Sequence, residues 1–378
     1  MAHRIPAVAT RGVRSVAALI DTTIVSGPGR QLAALAAELR RSDVEMRVAL
    51  LQRTGRPRPP YADYLAAAGI THAVLPDQGP LDVGVVGRLR ELLGEWAPDV
   101  IQTHSYRMTF VAAALRARGV RTPWVGFFHG ATAEDRKVRL YHWLDRRALG
   151  RADAVVVMSR AHAEEFARHG RRVHVVHNAV IPLPRPADAG ALQLPVAGGA
   201  PLLGVVGRLS HEKGVDVFLD ACARLAARGV EFEAVVAGDG PERGALLARR
   251  DGLGLADRVH FPGVVTDVCS LYERLDLLVI PSRSEGLPNV LLEALSADTP
   301  VVSTEVGAVP EVITDPAAGL LVPPGDAEAL ADAIVAALPL RADAAAREAR
   351  ATTVERFSLA TRADAMRRIY DSLHGVTR

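Results

Sequence analysis

Lysine is nearly absent from this chain. The 378 residues hold only Lys137 and Lys213, so positive charge is carried by arginine and any lysine with a chemical task is one of these two. Cysteine is as scarce: Cys222 and Cys269 stand far apart, each in an apparent helix or helix approach, with no CxxC pair and no His/Cys cluster. They read as reduced packing residues, and a structural zinc site is not expected. No DxD-type carboxylate pair ends a predicted strand, so no metal is expected either. No 18-residue apolar span exists, and the first residues lack a signal-peptide core with its cleavage site, which predicts a cytoplasmic protein. Aromatic residues are only 4%, and the basic part of the chain has no recognition motif or interleaved aromatic platform, which argues against nucleic acid.

What is present is aliphatic and alternating. Apolar runs and helical segments follow one another throughout, with no short repeat, so the fold class is α/β with doubly wound parallel layers. The length exceeds one ordinary core and fits two domains. Residues 1–185 form the first and residues 201–358 the second. The proline- and glycine-bearing stretch 186–200 is the predicted linker, and an amphipathic helix at 359–373 follows the second domain.

Two carboxylates mark a candidate site. Glu285 and Glu293 lie eight positions apart in Pro281-Ser-Arg-Ser-Glu-Gly-Leu-Pro-Asn-Val-Leu-Leu-Glu293, after the apolar run Leu277 to Ile280. That run reads as a buried parallel strand and Pro288 as a helix opener, which puts both carboxylates beyond a strand's C-terminal end, where open α/β sheets hold ligands. Such carboxylates accept hydrogen bonds from sugar hydroxyls. The alternative is that Glu285 complements a helix dipole and Glu293 is a solvated helix residue. Upstream, Val205-Val206-Gly207-Arg208-Leu209-Ser210-His211-Glu212-Lys213-Gly214 sets Arg208 and Lys213 five apart in a glycine-bearing loop between a strand at 202–206 and a helix from about 215. Backbone amides, a bidentate guanidinium and a point charge suit a diphosphate. Gly238-Asp239-Gly240 repeats the strand, turn and helix pattern, Gly263 closes another run, and Val306-Gly307-Ala308-Val309-Pro310-Glu311 follows. In the first half, Gly27 and Gly29 lie between a strand at 16–20 and a helix from about 30 to 41, as a phosphate-facing loop or a simple tight turn. Two hydrophobic runs end in His104 and His129, where strand ends present side chains to a cleft. His142, His162, His169 and His211 have no ligand-like spacing and read as surface or loop residues.

Taken in order, these motifs resemble the retaining nucleotide-sugar glycosyltransferases of glycosyltransferase family 4, or group 1, over nearly the whole chain. The resemblance implies the GT-B architecture: two Rossmann-like doubly wound domains facing across a cleft, with the terminal helix packing back on the first. It implies that Arg208 and Lys213 bind the donor diphosphate, that Glu293 holds the ribose hydroxyls and that Glu285 contacts the transferred sugar. The amides of Gly286, Leu287 and Asn289 resemble diphosphate donors, and His129 matches a family histidine near sugar and acceptor. The family carries glycine at the positions of Ala179 and Asp298, so both are departures. The implied activity is hexosyl transfer from a nucleotide-diphosphate sugar to a hydroxyl acceptor, with no cofactor. UDP-glucose, UDP-N-acetylglucosamine and GDP-mannose all fit as donors. A nucleotide-sugar 2-epimerase of the same fold and a non-catalytic carbohydrate-binding protein are the alternatives. A pyridoxal phosphate-dependent phosphorylase is disfavoured, since Lys213 is already assigned to phosphate.

Net charge of +2 conceals an asymmetry. Residues 1–185 carry 27 Lys and Arg against 16 Asp and Glu, a net +11, while residues 186–378 carry 18 against 27, a net −9. If residues 134–149 are helical, Arg136, Arg139, Trp143, Arg146 and Arg147 fall within about a 100° arc. That stripe suits either a solvated face or an anionic membrane surface, and with the domain charge it predicts a lipid-linked sugar or growing glycan as acceptor.

Overall fold

The computed structural model describes residues 12–79, 82–130, 136–167, 172–183, 194 and 199–374. Most of the predicted linker, 186–200, lies outside them. Seven parallel strands form the first sheet: β1 (Ser15–Ile20), β2 (Glu45–Arg53), β3 (His72–Asp77), β4 (Val100–His104), β5 (Trp124–Phe128), β6 (Ala154–Val157) and β7 (Val173–Val175). Six parallel strands form the second: β8 (Leu202–Val206), β9 (Glu233–Ala237), β10 (Val259–Gly263), β11 (Leu277–Ile280), β12 (Val301–Thr304) and β13 (Gly319–Val322). The orders β3-β2-β1-β4-β5-β6-β7 and β10-β9-β8-β11-β12-β13 place a switch point beside the first strand of each sheet. Ligands of doubly wound sheets bind there, outside the strands' carboxyl ends.

Helices of the first domain are α1 (Gly27–Arg40), α2 (Pro60–Ala67), α3 (Gly84–Trp96), α4 (Tyr106–Ala117), α5 (Arg136–Leu149) and α6 (Arg160–Ala167). Those of the second are α7 (Val215–Ala227), α8 (Arg243–Gly252), α9 (Val268–Arg274), α10 (Asn289–Ser296), α11 (Val309–Val312), α12 (Ala327–Ala337), α13 (Ala344–Arg356) and α14 (Leu359–His374). Central strands are buried on both faces because helices cover both sides of each sheet; all four residues of β11 are buried, which is why its sequence is apolar without alternation. Helix α1 begins at Gly27, three residues before the sequence expectation. The cause is Ser26, whose side chain accepts from the Gly29 amide and so caps the helix.

Helix α14 returns to the first domain. Asp371 accepts from the Val13 amide at 2.9 Å, and the Tyr370 hydroxyl donates to the Gln102 side chain. Both cysteines are buried and unpaired. No described helix is long and apolar enough to cross a membrane.

The two departures from glycine behave differently. Asp298 takes φ +59 just past α10, a left-handed conformation that Asp tolerates, whereas Ala179 has no positive φ. Asp298 also has work that glycine could not do: its carboxylate accepts from Arg347 Nε and from Arg350 Nε, each at 2.8 Å. Arg350 is fully buried, so this pairing is what makes its charge tolerable. Asp298→Ala therefore orphans a buried guanidinium and forces alanine into the left-handed region. The expected loss is about 2–4 kcal/mol in urea unfolding. Asp298→Gly should lose roughly 1 kcal/mol less, because only the ion pair is removed. Equal stability of both variants and the parent would contradict this account.

Candidate active site

The carboxyl ends of β8, β9 and β10 converge on glycines. Gly207 and Gly238 have φ of +152 and +148, and a Cβ on Gly238 would sit 1.8 Å from the Gly207 carbonyl oxygen. No larger residue permits these loops to stack. The Gly238-Asp239-Gly240 turn supports the neighbouring loop: the Leu209 amide donates to the Asp239 carbonyl at 3.0 Å, and a Cβ on Gly240 would meet the Leu209 carbonyl at 2.3 Å. Asp239 uses its carboxylate on its own turn, accepting from the Gly240 amide. Gly263, at φ +80, receives the Gly238 amide on its carbonyl and has open space around it.

Arg208, Lys213, Ser282 and Glu285 line one small pocket against the ends of β8 and β11. Arg208 is exposed, and its guanidinium has no hydrogen-bond or ion-pair partner among the described residues. Lys213, in a short 3₁₀ turn at His211–Lys213, donates from Nζ to Glu285 Oε1 at 2.6 Å. Glu285 also accepts from Ser282 Oγ at 2.8 Å. A guanidinium without a counter-ion beside an ammonium, in a concave site, is a ready anion site. Among the described residues no group of three or more His, Cys, Asp or Glu side chains is placed to hold a metal ion.

The opposite wall comes from the first domain and is very close. A Cβ on Gly286 would lie 2.3 Å from the His129 carbonyl oxygen, and one on Gly130 would lie 3.3 Å from the Gly286 Cα. From behind, the Ala308 amide donates to the Gly286 carbonyl at 2.7 Å, and Gly307, at φ +56, leaves room for the Glu285 and Gly286 carbonyls. Leu287 is buried and its carbonyl accepts from Asn178 Nδ2 at 3.1 Å. Asn289 opens α10, and its Oδ1 accepts from both Gln31 Nε2 and Asn178 Nδ2 at 3.1 and 3.0 Å. A Cβ on Gly27 would clash with Asn289 at 2.4 Å, so Gly27 permits close contact between α1 and α10. Gly29 makes room for the Tyr61 ring, whose hydroxyl donates to the Gly29 carbonyl at 2.7 Å.

Glu293 is buried, and sequence reasoning missed its partners. Arg30 of α1 pairs with it at 3.0 Å and the Tyr272 hydroxyl donates to it at 2.9 Å. His104 and His129 are stacked neighbours, with His104 Nδ1 and His129 Nε2 at 3.0 Å. His104 is itself buried against Phe127, so it backs His129 and does not line the cleft directly. His162, read as a surface residue, instead packs edge-on against Phe128 with ring centroids 5.1 Å apart and lies beside Gly130. His142 and His169 fall outside the described side chains.

Burial, reinforced by the Arg362 charge, pushes the His129 imidazole down to about 4. Burial, His129 and Arg362 move His104 in the same direction. Both rings are therefore neutral near pH 7, and a neutral ring holds one donor and one acceptor. Because the folded pKa lies below the unfolded value of about 6.5, the stability contributed by neutral burial is complete above that pH and is lost as pH falls toward 4. His129→Gln should flatten the fall in unfolding free energy between pH 6.5 and 4. An unchanged slope would contradict the assignment.

Models of two families match the chain: "Glycosyl transferase 4-like domain" over residues 26–179 and "Glycosyl transferases group 1" over residues 200–339. The lipopolysaccharide core biosynthesis mannosyltransferase LpcC of Rhizobium leguminosarum bv. viciae is 33% identical over 306 residues, covering 76% of this chain and 84% of that protein. The 2-deoxystreptamine N-acetyl-D-glucosaminyltransferase of Streptomyces fradiae is 32% identical over 340 residues, 81% of each chain. Among solved structures, Anabaena Alr3699/HepE in complex with UDP-glucose superposes with a TM-score of 0.79 at 23% identity, covering 95% of this chain and 100% of that one, and so shares the fold. With both halves matched and identity at this level over most of its length, the chain belongs to the group 1 glycosyltransferases.

Proposed function

We propose that this glycosyltransferase takes a hexosyl unit from a nucleotide-diphosphate sugar and transfers it, with retention at the anomeric carbon and without a divalent cation, to a hydroxyl of a lipid-linked sugar or glycan. The observation that carries the reading is the grouping of partnerless Arg208 with Lys213 and Glu285 in one pocket at the switch point of the second sheet. Breaking the anomeric C–O bond builds positive charge on the sugar and negative charge on the departing diphosphate. Arg208, Lys213 and the loop amides near the start of α10 would stabilise that leaving group, the role a cation plays elsewhere. Lys213 would exchange Glu285 for phosphate oxygens, leaving Glu285 to accept from the sugar hydroxyls. Glu293 would likewise exchange Arg30 for the ribose. Neutral His129 supplies one hydrogen bond to the sugar or the acceptor, and the leaving phosphate assists removal of the acceptor proton on the same face.

The relatives support a glycan setting, since one is a lipopolysaccharide core mannosyltransferase. For the membrane, support comes from the +11 charge of residues 1–185 and from Trp143, which is 56% exposed with the Arg147 guanidinium 5.8 Å from its ring centroid. The stripe is narrower than the sequence implied, because Arg146 turns inward to pair with Glu165 and lies over Phe128. The side chains of Arg136 and Arg139 lie outside the described residues.

Lys213→Ala should lower acceptor-dependent transfer by about two to three orders of magnitude with the fold intact, as seen when one transition-state donor is removed. Comparable activity would refute its role, and conversion of the nucleotide sugar without any acceptor would favour the epimerase. Vesicles containing anionic lipid should retain the protein at low salt and lose it with Trp143→Ala and Arg147→Ala combined. No retention at low salt would remove the membrane from the account.

A further inference from the structure

Where the two domains meet the returning C-terminal helices there is a second cavity, of about 410 Å³, that shares no lining residue with the pocket of Arg208 and Lys213. Its walls come from three parts of the chain: Arg160 and His177 from the first domain, Glu311 from the second, and Arg356 and Arg362 from α13 and α14. The cavity reaches the N-terminus of α14, where Ser358 Oγ accepts from the Thr361 amide at 3.2 Å. That helix has no acidic residue in its first turn. It carries Arg362 there instead, a cation where the helix dipole is already positive.

Arg362 is only 4% exposed, and its Nε has no hydrogen-bond partner among the described residues. Its Nη1 donates to the neutral amide oxygens of Gln31 and Asn178, and no carboxylate among the described residues pairs with it. A buried, uncompensated guanidinium is costly unless something anionic meets it. The only carboxylate among the residues lining the cavity is Glu311, and it is already engaged, with the Arg160 amide at 2.6 Å and His177 Nε2 at 3.0 Å. Counting the guanidinium charges of Arg160, Arg356 and Arg362 against the Glu311 carboxylate leaves a surplus of two positive charges.

We propose that this junction binds a small phosphate monoester, whose dianionic head meets Arg362, Arg356 and the start of α14. A monoester carries about −1.5 to −2 at neutral pH, which matches the surplus charge, and guanidinium forks suit its oxygens. The volume falls within the roughly 300–1,000 Å³ of small-molecule sites, so it accommodates a sugar phosphate as well as free phosphate. Because both domains and both terminal helices form the walls, the bound anion would hold the domains together and favour the apposed cleft. The site is independent of the donor reading.

The test is calorimetric titration of the full chain with inorganic phosphate and with a hexose phosphate, at constant ionic strength. Lys213→Ala is the background, so that the donor pocket is weakened first. Saturable binding should persist in Lys213→Ala, weaken by about tenfold when Arg356→Ala is added, and recover in part with Arg356→Lys. Arg356 is exposed, so its substitution should leave the fold intact; circular dichroism checks this, and Arg160→Ala provides a second exposed variant. Loss of all binding in Lys213→Ala would overturn the proposal, as would binding there that ignores Arg356 and Arg160.

Discussion

One constraint governs the cleft: the His129–Gly130 loop of the first domain and Gly286 of the second approach so closely that Gly286 has no room for a side chain, while Gly130 takes φ +104, which favours glycine. A Cβ at Gly286 would be 2.3 Å from the His129 carbonyl oxygen. This contact sets how deeply the wall bearing His129 reaches toward the pocket of Arg208, Lys213 and Glu285. Under the proposed mechanism, a wider gap here would admit water beside the donor sugar, where hydrolysis competes with transfer.

The apposition combines an apolar cluster that runs through both domains and the C-terminal helices with a buried polar joint. Gln31, Asn178, Asn289 and Arg362 bring together α1, the segment after β7, the start of α10 and the start of α14. Directional bonds of this kind fix register between domains, and they lose much of their value when one member moves. The Arg30–Glu293 and Lys213–Glu285 pairs are the parts of this arrangement that a donor would have to rearrange. Each keeps a carboxylate satisfied without ligand, buried for Glu293 and half-buried for Glu285, so under the proposed donor reading binding would exchange partners and not desolvate a bare charge.

Much of this was legible in the sequence, for a physical reason. Parallel strands covered on both faces must be continuously apolar, and their loops must end in glycine where backbone stacks on backbone, as at Gly207 and Gly238. Arg208 and Lys213, and separately Glu285, stood out because each follows an apolar strand-like run; that β8 and β11 are neighbours is shown only by the structure. The partners of Glu293 did not. Arg30 belongs to a helix of the other domain, and the Gln31–Arg362 contact spans 331 positions. No local pattern encodes such a pair. Glycines were the other blind spot: the sequence left Gly29 open between a phosphate-facing loop and a tight turn, and the structure shows that Gly29 and Gly240 make room for Tyr61 and for the Leu209 carbonyl. From sequence, a glycine that admits a ligand and one that admits a neighbouring side chain are identical.

Under the proposed mechanism, Arg208 and Lys213 hold the donor diphosphate without a divalent cation. Calorimetric titration of the chain with UDP, GDP and ADP in the presence of EDTA tests it most directly. The account predicts saturable binding of one base in EDTA, abolished or weakened at least about tenfold by Arg208→Ala. Binding that requires an added divalent cation, or that is indifferent to Arg208, would contradict it.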